Sequence, residues 1–154
     1  MQLSRRTTLA MVAGIFLSMG VANAQTPAAT LDLASYKGKI VYLDFWASWC
    51  APCQQSFPYM DGLVKRMPAS DFVVVAVNVD HDRKKADAFL KRVGGAVPVI
   101  YDPDGKIATK FAVKAMPTSI LIDRTGRTRF VHQGFFPEQI ASYDTQISEL
   151  VHEK

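Results

Sequence analysis

Cys50 and Cys53 are the only two cysteines among 154 residues, and two residues separate them. Thiols at that spacing can close a small disulfide and reopen it by exchange with another. They lie in Phe45-Trp46-Ala47-Ser48-Trp49-Cys50-Ala51-Pro52-Cys53, where an apolar run gives way to helical spacing. A sulfur at a helix start faces free backbone N–H groups and the positive end of the helix dipole, and both favour its thiolate. The pKa of such a thiol falls from about 8.5 to roughly 7 or lower. The pattern reads as a redox pair rather than a structural staple. Trp49 offers an apolar platform beside the sulfur, while Trp46 leans towards packing. Pro52 restrains the helix start and removes one N–H donor.

The elements that must position this pair follow from periodicity. Ile40-Val41-Tyr42-Leu43-Asp44-Phe45-Trp46 is a near-continuous apolar run of strand length, suited to a central strand covered on both faces. Its one charge, Asp44, is the exception; a carboxylate buried there has its pKa raised by desolvation, towards the range useful for a general base. From the cysteines a helix is predicted to about Met67, with Phe57, Met60, Leu63, Val64 and Met67 on one face. Pro58 sits inside that helix and is expected to kink it. Phe72–Val79 reads as a second buried strand. Asp82 then caps a helix carrying Ala86, Phe89, Leu90 and Val93, which ends at Gly94-Gly95. Val97–Tyr101 is a short strand before the turn Asp102-Pro103-Asp104-Gly105, and Ile107–Phe111 a helical turn. Thr118–Asp123 and Thr128–Gln133 form a hairpin across Arg124-Thr125-Gly126. Pro137-Glu138 opens a last helix that buries Ile140, Tyr143, Ile147, Leu150 and Val151. The order is β-α-β-α-β-α-β-β-α.

Composition narrows the class. Apolar residues make up 49% of the chain, enough for a core without further cross-links, and the length suits one domain. The formal charge of +4 includes Arg5 and Arg6 near the start, and the rest is near balance. No basic stripe speaks for nucleic acid. Residues 1–24 read as an export signal: Arg5-Arg6 as the basic region, Leu9–Val21 as the apolar run, Ala22-Asn23-Ala24 as an A-x-A cleavage site. An uncleaved anchor is the alternative. Ser4-Arg5-Arg6-Thr7-Thr8-Leu9 also resembles a twin-arginine signal, so the general and twin-arginine routes both stay open. Residues 25–30 form a flexible leader and 31–154 the folded domain. His81, His132 and His152 are scattered, without metal-ligand spacing, and read as surface or loop histidines. Arg83-Lys84-Lys85 reads as a solvated first helical turn. No metal or cofactor is expected.

Taken together these residues resemble the thioredoxin superfamily, and more narrowly its exported TlpA/ResA-like branch. The resemblance rests on Asp44 to Cys53 with Pro58 five residues on, on Met116-Pro117-Thr118 at the start of a strand, and on the length of Asp80–Ala112. It implies an α/β thioredoxin-like fold: a central mixed sheet flanked by helices, with a TlpA/peroxiredoxin-like insert between the active-site half and the cis-proline half. It further implies that Pro117 is cis, turning the Met116 backbone outward to pair with an extended substrate. Cys50 would be the exposed attacking thiolate, Cys53 the buried resolving thiol, and Asp44 the proton acceptor for Cys53. Two departures stand out: many members of the branch carry Asn where this chain has Asp44, and Glu where it has Ser56. The acid has moved from helix to strand, so the branch's proton-transfer scheme does not carry over unaltered.

The leading functional expectation is an exported, periplasmic protein-disulfide reductant. Ala51-Pro52 between the cysteines holds no histidine or charge to stabilise the reduced thiolate further, which argues against a strong oxidant. By resemblance, substrates would be apocytochrome c or a copper-site protein, and electrons would come from a membrane donor of the DsbD/CcdA type. A monomer is expected. Two other classes remain open. A thiol peroxidase of the peroxiredoxin kind needs Thr three residues before its cysteine, where this chain has Ala47. A non-catalytic Cu(I) carrier could use both thiolates, although the Sco-type carriers it resembles have three residues between their cysteines.

Overall fold

The computed structural model of the chain describes residues 30–153. The expected signal, residues 1–24, and nearly all of the leader lie outside the described residues. Among those described, no helix is long and apolar enough to cross a membrane.

Five strands form one mixed sheet: β1 (Ile40–Trp46), β2 (Phe72–Asn78), β3 (Val99–Tyr101), β4 (Thr118–Ile122) and β5 (Thr128–Gln133). Their order across the sheet is β3-β2-β1-β4-β5, so β1 is central. It pairs in parallel with β2 and antiparallel with β4. All seven residues of β1 are buried, which is what an uninterrupted apolar strand requires once helices cover both faces. The β4–β5 hairpin and the parallel β2–β3 pair complete the expected layout.

Among the described residues four helices pack on the sheet: α1 (Cys53–Arg66), α2 (Arg83–Val93), α3 (Lys106–Lys110) and α4 (Ile140–His152). The first begins at Cys53, three residues later than Cys50, and holds Pro58 within it. Asp82 caps α2 by accepting from the Lys84 N–H at 2.9 Å, as expected. Arg83 is not simply solvated: its guanidinium stacks on the Tyr101 ring, 3.9 Å from the centroid. The last helix starts one short 3-10 turn later than predicted, after Pro137–Gln139. Arg124, in the hairpin turn, donates to the Leu150 and Val151 carbonyls and so ties β4–β5 to the end of α4.

Side chains of β1 alternate between two cores. Ile40, Tyr42 and Trp46 join the cluster that also holds Cys50, Cys53, Phe57, Tyr59 and Tyr143. Val41, Leu43 and Phe45 join the opposite one, with Val75, Val77, Ile107 and Ile120. By the same alternation Asp44 belongs to the cysteine side.

Candidate active site

The site grows from the end of β1. Antiparallel pairing of β1 with β4 sets Phe45 opposite Thr118. The loop leaving β1 towards the cysteines and the segment Ala115-Met116-Pro117 entering β4 therefore meet at one edge of the sheet. The Met116–Pro117 peptide is cis. Pro117 is buried and Met116 half-buried. The Pro117 carbonyl accepts from the Gly134 N–H at 2.8 Å. Gly134 has φ +88°, a conformation that favours glycine, and a Cβ there would stand 2.9 Å from the Phe136 ring and push it aside.

Cys50 and Cys53 are joined as a disulfide, with sulfurs 2.03 Å apart. The Cys53 N–H donates to the Cys50 sulfur at 3.2 Å. That N–H opens α1 and has no carbonyl one turn back to bond, so the sulfur takes up a donor that every helix start leaves free. The expected thiolate-stabilising geometry is thus present, with Cys50 in the preceding turn instead of in the helix. Cys50 is more sheltered than the exposed residue expected, at 4% exposed in this oxidised form, and Cys53 is fully buried. What stands out from the surface is Trp49, 70% exposed, with Pro52 exposed beside it. Trp46 is wholly buried, edge-on to Phe57 and stacked near Phe89. One tryptophan is core and the other stands at the surface.

The loop between them is pinned by a residue whose role periodicity did not reveal. Asp80 accepts from the Ser48 N–H and the Ser48 hydroxyl, both at 2.8 Å, and from the Asn78 amide at 2.8 Å. It is itself nearly buried. Bonds to a sheltered carboxylate are of the stronger, charge-assisted kind, so the turn carrying Trp49 and Cys50 is anchored to the end of β2.

Asp44 lies beneath, completely buried. Its Oδ1 accepts from the Ser119 hydroxyl at 2.7 Å, while Oδ2 has no partner among the described residues. Burial raises its pKa from 3.8 to about 7, and the Ser119 hydrogen bond holds it back from rising further. Ser56, at the position where the TlpA/ResA-like branch carries Glu, is fully buried and donates to the Cys53 carbonyl at 3.1 Å.

One histidine corrects the sequence reading. His132 is not a surface residue but half-buried on β5 between β4 and α4. It bonds the Gln146 side chain through Nε2 at 2.6 Å and stacks on Tyr143. Burial lowers its pKa, against the opposing pull of the Gln146 bond. Among the described residues no group of three or more His, Cys, Asp or Glu side chains is placed to hold a metal ion.

A buried disulfide edge at the start of a helix, a cis proline beside it and a mixed sheet in this order define a thioredoxin-like dithiol protein. Residues 16–147 match the model of the Redoxin family, and the chain belongs to that family. The thiol-disulfide oxidoreductase ResA of Bacillus subtilis is 34% identical over 110 residues, 71% of this chain and 62% of that protein. The ResA of Geobacillus thermodenitrificans is 32% identical over 66% of this chain and 59% of its own length. The chain thus spans about six-tenths of the length of the curated relatives it matches. Among solved structures, a Chlorobium tepidum protein provisionally titled thiol:disulfide interchange protein DsbE superposes with a TM-score of 0.74. It is 44% identical over 77% of this chain and 84% of that one. The exposed lipoprotein thioredoxin Etrx1 of Streptococcus pneumoniae is 35% identical, with a TM-score of 0.64 over 77% and 90% of the two chains.

Proposed function

We propose that this chain is an exported protein-disulfide oxidoreductase working as a reductant. The observation that carries the reading is the Cys53 N–H directed at the Cys50 sulfur, beside an exposed Trp49 and the Met116–Pro117 edge. Reduced, Cys50 is the thiolate that this N–H stabilises, and it attacks a substrate disulfide. The substrate chain lies along Trp49 and pairs with the Met116 backbone by strand addition. Cys53 then gives its proton to Asp44 and attacks Cys50, releasing the reduced product and restoring the disulfide. A carboxyl titrating near 7 suits that transfer at neutral pH.

Export rests on the basic, apolar and A-x-A segments of residues 1–24. In an oxidising compartment the pair would stay oxidised, so the cycle calls for electrons from a membrane donor of the DsbD/CcdA type. Resemblance to ResA supports apocytochrome c, or a protein awaiting its copper, as the substrate class.

Replacing Cys53 with Ser tests this directly. The variant should accumulate substrate bound to Cys50 through a disulfide that dithiothreitol releases, and mass spectrometry identifies the captured protein. The wild-type potential should lie nearer that of thioredoxin, about −270 mV, than the −120 mV or so of a strong periplasmic oxidant. No capture by Cys50, or a potential at the oxidising end, overturns the reading.

A further inference from the structure

Asp44 does not stand alone in the buried layer. Strand register sets it opposite Ser119 on β4, and Ser119 in turn opposite His132 on β5. The Tyr42 hydroxyl, two residues back on the same face of β1, reaches Ser119 Oγ at 3.0 Å. All three of Tyr42, Asp44 and Ser119 are 2% exposed or less.

The direction of these bonds follows from proton counting. A carboxylate only accepts, so the single Ser119 proton goes to Asp44 Oδ1, and Tyr42 must be the donor to Ser119. Protonation of Asp44 on Oδ1 would turn the Ser119 proton back onto the Tyr42 oxygen and so displace the Tyr42 proton. Among the described residues that proton has no second acceptor, which is costly. Oδ2, buried and unpartnered, can take a proton without disturbing any bond. The other titratable groups facing this layer are engaged elsewhere. On α1, Tyr59 bonds Asp144, which also pairs with Arg66; on α4, Tyr143 bonds Gln139; on β5, His132 bonds Gln146 through Nε2, while its Nδ1 is buried without a partner among the described residues. Cys53 of α1 is the thiol packed in the same cluster.

We infer that Ser119, held by Tyr42, is a positioning residue that reserves Asp44 Oδ2 as the atom receiving the Cys53 proton. The inference rests on the role of Asp44 given under the proposed function. In the step itself, the Cys53 S–H proton passes to Oδ2 and the Cys53 sulfur bonds to the Cys50 sulfur. The bond from Cys50 to the substrate sulfur breaks, and the substrate leaves with the electron pair as a thiolate.

The test is single-turnover kinetics across pH, with mixed-disulfide formation and product release resolved separately, in the full chain. Ser119→Ala should move the pH midpoint of release upward by about one unit, a tenfold change in ionisation constant, because the carboxylate loses a donor. Tyr42→Phe should move it the same way by less, about threefold. Ser119→Thr, which keeps a hydroxyl, should return the midpoint to the wild-type value, and none should move mixed-disulfide formation. A 13C titration of the Asp44 carboxyl in the oxidised protein should show the same ordering without any turnover. Equal slowing of both steps in Ser119→Ala with an unmoved midpoint overturns the inference alone. A release inflection that survives Asp44→Asn removes Asp44 from the step, and overturns this inference together with the assignment of that base.

Discussion

The two faces of β1 are built to opposite rules. Facing α3, Val41, Leu43 and Phe45 join an aliphatic cluster that includes Val75, Val77, Ile120 and Ile122. Facing α1 and α4, Tyr42, Asp44 and Trp46 meet the cysteines, two further tyrosines and Ser119. Both faces are buried, yet only one carries the cysteine pair and a carboxyl. The contrast shows what the apolar face is for. A strand that buries a carboxyl at its centre gives up stability there, and the aliphatic packing behind it holds the backbone in register regardless. Chemistry on one side is mounted on hydrocarbon on the other.

The largest effect that tests this contrast is the pH dependence of stability due to Asp44. Its pKa is higher folded, about 7, than the ordinary 3.8, so the folded state holds the proton more tightly. The stabilisation is complete below about pH 4 and is lost as pH rises through 7, a swing of about 4 kcal/mol. Urea unfolding of wild type and Asp44→Asn at pH 4 and pH 8 should differ by that swing, with the variant gaining relative stability at the higher pH. A difference that stays constant with pH would show that Asp44 is not buried in its charged form. On the opposite face Leu43→Ala should cost about 3 kcal/mol through the cavity it leaves, and by the same amount at both pH values. If that loss varied with pH, the two faces would not be independent.

Smaller again is the loss expected for Asp80→Asn, about 1–2 kcal/mol, since the Ser48 hydrogen bonds lose their charged acceptor. Amide exchange at Ser48 should quicken more than exchange in β1. Trp49→Ala should change stability by less than about 0.5 kcal/mol, because the side chain is mostly exposed, yet weaken substrate capture by Cys50. A large drop in melting temperature would make Trp49 a packing residue instead of a platform.

How much of this was legible beforehand depends on where the information sits along the chain. The strand, the helix, the cysteine pair and the cis-proline segment are written in consecutive residues, and their positions came out nearly as read. Asp44 stood out because one charge interrupts seven apolar positions. Ser119 gave no such signal: it reaches Asp44 across 75 residues, through a strand register that no local pattern specifies. Asp80 figured only as the start of the stretch Asp80–Ala112, whereas its bonds reach Ser48 in the loop after β1 and Asn78 at the end of β2. His132 was misread because β5 is an edge strand with weak alternation, and only the placement of Gln146 and Tyr143 on α4 decides that its ring is covered.

The anchoring of Ser48 by Asp80 has one more consequence. Because β2 grips the turn, the link between the sulfurs is not what holds Trp49 and Cys50 in place. Opening that link frees two sulfur atoms but little chain, so reduction gains little conformational entropy. On the proposed cycle the pair would exchange electrons while the turn held by Asp80 keeps its place. A partner would then meet the same surface whether it collected electrons or delivered them.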